Sequence, residues 1–465
     1  MKNLIFFLFV FAFITGNIFA QKTIIKGIAK GANGKTIRVI TYADQISYLE
    51  KTIAKTLINN EEKFNLEFDL QNTVFSYLAI DFQRAEFYIE PGKKYNLEIR
   101  YDTSQQQYSF VEPVSLSFQI QNPDKNELNY LIQNMNIIYN GFVFNNFDNI
   151  YKKRQKYLVD TLRKRIDRFF SGIKNEYFEN YVKYKLASVE QFAKLKNTGS
   201  LIKTYFCNQP ILYYNIEYMD FFNNLFTRYL IVTSRVIKYQ DLVETINEKA
   251  SYDDFKNMID KDDLLKNSGI SELVLLKGLN ELYYIQGFKR KNILKILKEF
   301  SNQSNSEQNS LIANDLIITL TKLSQDTPAP DFTLKNNTIE ISLSDFKGKY
   351  VYLNFWNTQC EPCIDDIKII EELKSKFGDN IEFINISTDN KLIKLQEFLA
   401  LNNYSLIFLH YDNKMELLEN YNIKTFPSYI LIDDHGNILK CPAPKPDANL
   451  ENYFIELLNL ENSDH

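Results

Sequence analysis

The chain is poor in the residues that hold metals. Its 465 residues include four cysteines and three histidines. A structural zinc site usually takes four Cys or His ligands. Cys360 and Cys363 offer two, Cys207 and Cys441 stand alone, and His410, His435 and His465 are scattered, so no metal is expected. Covalent haem attachment needs Cys-x-x-Cys-His, and Ile364 follows Cys363. Positive charge is not in excess either. There are 54 Lys and Arg against 58 Asp and Glu, for a formal net charge of −4, which argues against electrostatic nucleic-acid binding. Past residue 20 no apolar run reaches the roughly 20 residues of a membrane helix. No strong internal repeat is visible, so a helical solenoid is not expected.

What the chain does have is apolar and aromatic material. Hydrophobic residues make up 45%, and 36 Phe with 30 Tyr bring aromatics to 14%. That is ample for several packed cores and argues against a largely disordered chain. The first twenty residues, MKNLIFFLFVFAFITGNIFA, differ from the rest. Lys2 precedes an apolar run, Leu4 to Ile14, and Ala20 precedes Gln21. This is the plan of a cleaved secretory signal. No cysteine follows the cleavage point, so lipid attachment is not indicated. The expected mature protein is exported to the periplasm, where disulfides persist.

Three domains are expected after the signal at 1–20. Residues 21–118 read as a β-rich domain, a sandwich or barrel. FNLEFDL (Phe64–Leu70) and YNLEIRY (Tyr95–Tyr101) alternate apolar and polar residues, the period of half-buried strands, and GANG and PG supply turns. Residues 119–325 are poor in Pro and Gly and carry helical spacing. In YKKRQKYLVDTLRKRIDRFF, Leu158, Leu162, Ile166 and Phe169 fall on one face among Lys and Arg, which read as a solvated basic face. ISELVLLKGLNELYYIQG reads as a buried helix, and NQSNSEQNS as a loop or connection. Residues 326–465 alternate strands with helices, an α/β layer fold.

The chemistry concentrates in FWNTQCEPCIDDI, Phe355 to Ile367. Its Cys-x-x-Cys follows a buried strand and opens a helix, beside unpaired N–H groups and the positive end of the helix dipole. Such a position favours thiolate at Cys360. Pro362 suits a first helical turn. Cys363, one turn inward, is placed to attack a mixed disulfide formed by Cys360. Asp366 lies within a further turn on the same face and could accept the Cys363 proton. Alternatively, Asp365 and Asp366 are simply acids favoured by the helix N-terminus. Glu361 adds negative charge that opposes the Cys360 thiolate and favours a less oxidising pair. Cys207 and Cys441 read as two separate buried thiols, the alternative being a second disulfide that links the helical and C-terminal domains.

DTPAPDFTL, SLSDFKGKYVYLNFW, CEPC, TFPSYILID and DHGNILK, in that order, resemble the thioredoxin-fold TlpA-like and ResA-like thiol–disulfide oxidoreductases, which are exported bacterial proteins. The resemblance covers residues 326–465. It implies Cys360 as an exposed nucleophile, Cys363 as the buried resolving cysteine and Asp366 at the family's acidic position, usually Glu. Asn354 takes the place of thioredoxin's buried Asp, and Pro427 that of the cis-proline. Trp356, Phe426 and Pro427 would line the substrate groove. Gln359 stands where Trp is usual, and Phe426 where smaller residues are common. The implied activity is protein disulfide reduction without a cofactor. The implied partners are protein thiols and disulfides and a redox partner that recharges the pair, a membrane-embedded thiol reductant being one candidate. Two other readings stay open. One is a thiol peroxidase, although Leu353 and Asn357 replace the Pro and Thr of the peroxiredoxin motif. The other is a partner-binding protein with a non-catalytic thioredoxin-fold module.

Overall fold

The computed structural model describes residues 20–103, 114–266, 269–336 and 339–461. The signal-like segment up to Phe19 and His465 lie outside the described residues.

Nine strands come first: β1 (Gln21–Lys30), β2 (Thr36–Tyr42), β3 (Glu50–Leu57), β4 (Lys63–Leu70), β5 (Val74–Ile80), β6 (Gln83–Ile89), β7 (Lys94–Arg100), β8 (Val114–Ser115) and β9 (Ser117–Ile120). They form two sheets, ordered β4-β1-β7-β9 and β3-β2-β5-β6-β8. The alternation seen in the sequence is what lets them pack. Leu66, Leu97 and Ile99 from one sheet and Val39, Leu78 and Phe87 from the other share one core. The GANG turn works because Gly31 and Gly34 supply left-handed backbone, at φ 82° and 73°. Gly27 meets a stricter demand. In the parallel β1–β7 pair it faces Leu97, and a Cβ there would stand 1.9 Å from the Leu97 carbonyl oxygen. Gly27→Ala is expected to cost about 1–3 kcal/mol through forced backbone movement. An unchanged thermal melt would mean that β1 and β7 do not pair in this register.

The described residues between 128 and 321 are mostly helical, with short π turns. The largest core here mixes aliphatic residues with a group of aromatic rings that includes Tyr184, Phe206, Tyr218, Phe221, Phe222 and Phe226. The Ser271–Leu282 helix is buried, as its run of leucines requires. The polar NQSNSEQNS stretch joins two helices, ending at Gln303 and starting at Glu307. One expectation fails. The basic amphipathic helix spans Lys156–Phe169 and buries Leu158, Leu162 and Ile166, but Phe169 is 63% exposed. It stands at the last helical residue, and its ring lies beside Phe170 at 4.9 Å between centroids.

The remaining strands are a hairpin, β10 (Thr333–Asn336) and β11 (Ile339–Ser342), then β12 (Tyr350–Trp356), β13 (Ile381–Ser387), β14 (Ile407–His410), β15 (Ser428–Ile432) and β16 (Ile438–Lys440). The main sheet is ordered β14-β13-β12-β15-β16. β12 is central, parallel to β13 and antiparallel to β15. Every residue of β12 is buried, which is why it reads as an apolar and aromatic run with Asn354 as its one strongly polar member.

The strand region touches both of the others. Ile46, in the loop after β2, is buried in the helical core. Phe82, in the β5–β6 turn, packs against the C-terminal core. Arg38 on β2 pairs with Glu419 at 2.8 Å, and Arg84 on β6 approaches the same carboxylate at 3.6 Å. Lys55 on β3 pairs with Glu416. Both acids lie on the Met415–Asn420 helix.

Candidate active site

β12 ends at Trp356, and the chain then turns through Asn357, Thr358 and Gln359 into the Glu361–Phe377 helix. Cys360 caps that helix and Pro362 sits in its first turn. Cys360 and Cys363 form a disulfide. The Cys363 backbone N–H also donates to the Cys360 sulfur at 3.3 Å. A sulfur at this position faces the helix's unpaired N–H groups, which stabilise thiolate when the bond is reduced.

The expected exposure of Cys360 needs correcting. In the disulfide state it is 5% exposed, against 0% for Cys363. The order between them is as expected, but Cys360 is a buried cap rather than an open thiol. Trp356 is fully buried, its ring packed on Phe398 and Phe408, so it does not line a groove. Phe426 is 6% exposed and its side chain also faces the core. Pro427 is partly exposed and follows a cis peptide bond. The pairing of Phe355 with Ser428 sets Pro427 beside the end of β12. Next to the cysteines in the chain Gln359, Glu361, Pro362 and Asp365 are exposed, and Lys424 and Thr425 are exposed just before Phe426 and the cis-proline.

Asp366 is buried on the same helix and accepts a hydrogen bond from the Tyr429 hydroxyl. Burial raises its carboxyl above the ordinary aspartate value. The Tyr429 hydrogen bond works against that shift, Asp447 adds to it and Lys445 opposes it. Tyr429 in turn stacks on Tyr352, with centroids 5.4 Å apart. Nothing local in the sequence announces Tyr429, because β15 brings it from 63 residues away. Beneath the site the Asn354 amide donates to Asn385 Oδ1 at 2.9 Å, a neutral buried pair. Cys207 and Cys441 are unpaired and border different cores.

A polar cluster holds the loop before Cys360. Asp389, just beyond β13, accepts from the Thr358 N–H at 3.1 Å and from the Thr358 hydroxyl at 2.7 Å. The Ser387 hydroxyl also donates to it at 2.7 Å. His410 Nδ1 accepts the Asp412 N–H at 3.0 Å. Its proton therefore sits on Nε2, which donates to the Asp389 carbonyl at 2.6 Å. Asp389→Ala would leave buried donors unpaired, at a cost of about 1–3 kcal/mol. It is expected to lower the melting temperature and to shift the Cys360 thiolate titration read by ultraviolet absorbance. A titration identical to wild type would remove Asp389 from the support of this loop.

A central parallel strand, a Cys-x-x-Cys disulfide at the following helix N-terminus and a cis-proline on the adjacent antiparallel strand define a thioredoxin-fold redox domain. Residues 324–453 match the Redoxin family model. ResA, a thiol-disulfide oxidoreductase of Halalkalibacterium halodurans, is 30% identical over 123 residues, 26% of this chain and 69% of ResA. ResA of Bacillus thuringiensis subsp. konkukian is 32% identical over 133 residues, 28% of this chain and 76% of its own length. The crystal structure of the thioredoxin domain of a Bacteroides vulgatus thiol-disulfide oxidoreductase is 27% identical, with 28% of this chain and 96% of that one covered at a TM-score of 0.26. Through its C-terminal domain the chain belongs to the ResA-like thiol–disulfide oxidoreductases. The strands and helices before residue 324 lie outside the family match.

Proposed function

We propose that the protein is an exported protein-disulfide reductase that works through Cys360 and Cys363. In the reduced enzyme the Cys360 thiolate attacks one sulfur of a substrate disulfide. A Cys360–substrate bond forms, the substrate S–S bond breaks and one substrate thiolate leaves. Cys363 then gives its proton to the Asp366 carboxylate and attacks the Cys360 sulfur. The mixed disulfide breaks, the second substrate thiolate leaves and takes up a proton, and Cys360–Cys363 is oxidised. Two electrons have passed to the substrate. A partner dithiol returns the pair to its reduced state by the same exchange in reverse.

The observation that carries this reading is the disulfide at the helix N-terminus with a buried carboxylate on the same helix. Pro427 and its neighbours would receive an extended substrate segment by backbone pairing. The domain division at 21–118, 119–325 and 326–465 and the cleaved leader at 1–20 belong to the same proposal. No helix among the described residues is long and apolar enough to cross a membrane. The decisive test is a redox equilibrium titration of Cys360–Cys363. A reductase is expected to lie below the roughly −180 mV of protein disulfide isomerase. A potential near the roughly −120 mV of a strong oxidant would overturn the direction proposed here. Consumption of peroxide without disulfide reduction would overturn the reaction class.

A further inference from the structure

The Leu128–Phe147 helix carries no charged residue in its 20 positions, yet much of it faces solvent. An exposed helix face normally carries charge. Here Phe144 is 83% exposed, Phe147 52% and Ile137 65%. The chain leaves this helix through a π turn, Asp148–Lys152, and re-enters helix at Lys156. Lys152, Lys153, Arg154 and Lys156 are all exposed at this hairpin tip, and Tyr157 beside them is 62% exposed. Lys152 is paired with Asp148 at 2.8 Å. Lys153, Arg154 and Lys156 enter none of the ion pairs among the described residues.

The tip is built, not frayed. Ile150, Leu158 and Val159 are buried in a small core with Val189 and Ala193. Phe147 lies against Tyr151, with centroids 4.9 Å apart. The charge is also local. Residues 152–168 hold eight Lys and Arg against two Asp, within a chain whose net charge is −4.

We infer that this hairpin tip docks on an anionic bilayer surface. Aromatic rings settle at headgroup level, and neighbouring cations gain from an anionic leaflet. A second copy of the chain fits this face poorly, because two tips would bring their cations together. The inference rests on the helical region alone and is independent of the redox reading.

The test is co-sedimentation of the chain from Gln21 onward with lipid vesicles. That chain keeps every described strand and helix and removes the apolar leader as a second membrane-seeking segment. Binding is expected to phosphatidylcholine vesicles carrying phosphatidylglycerol, and not to pure phosphatidylcholine. It should weaken strongly near 1 M salt, where the screening length is about 3 Å. Lys153→Gln/Arg154→Gln/Lys156→Gln should weaken it about a hundredfold. Phe144→Ser/Phe147→Ser should weaken it at every salt concentration. Equal binding to neutral and anionic vesicles, or unchanged binding by both variants, would overturn the proposal. So would a wild-type dimer in sedimentation velocity that the Phe144→Ser/Phe147→Ser variant abolishes without loss of vesicle binding, since the face would then belong to a second copy.

Discussion

Cys363→Ser is expected to accumulate covalent complexes with substrate, visible as slow-migrating bands on non-reducing gels. Cys360→Ser is expected to trap almost none, and either change should abolish turnover. The asymmetry follows from position. Cys360 caps the helix and keeps a sliver of accessible surface, whereas Cys363 has none. Only a sulfur that a substrate can reach can begin the exchange, and only the inner sulfur can end it. If Cys360→Ser trapped more partner than Cys363→Ser, the roles would be reversed and the helix-terminus argument would be wrong.

Asp366→Asn should slow resolution of the mixed disulfide by about 10²-fold, the lower range for loss of a positioned proton acceptor. The first attack should change little, since it does not pass through this carboxylate. The acid limb gives the prediction its sign. Burial raises the Asp366 carboxyl above the ordinary range, so it fills with protons at a higher pH than a surface aspartate. Resolution by the wild type should therefore fall as pH drops through that raised value. The Asn variant should be slow and flat over the same interval. For stability the sign is opposite to that of a salt-bridged acid. Ionised Asp366 costs stability at neutral pH, and the cost fades as pH falls. Stopped-flow release from a preformed mixed disulfide measures the first effect. Equal rates in the two proteins would leave Asp366 as a helix-terminal acid and nothing more.

Much of the site was legible because its signals are local. The cysteine spacing, the helix start at Glu361 and the proline before β15 all lie within short stretches whose chemistry is fixed by neighbours. The period of two likewise exposed the faces of β4 and β7. Legibility ended where contacts are long-range. Tyr429 reaches Asp366, and Asp389 reaches Thr358, only because β12, β13 and β15 are adjacent in the sheet. Trp356 misled for a related reason. β12 is buried on both faces, so its sequence has no alternation to tell a core-facing ring from a groove-facing one. Phe169 misled because a helical period continues past the point where the core stops.

Arg38 and Arg84 both reach Glu419 across the boundary of the family match. The helix that carries Glu419 ends at Asn420, and residues 421–425 lead from it to Phe426 and the cis peptide bond before Pro427. Arg38 stands 381 positions before Glu419 in the chain, yet the two side chains meet. The strand region is thus tied by ion pairs to the domain that carries the redox pair, rather than hung from it by the chain alone.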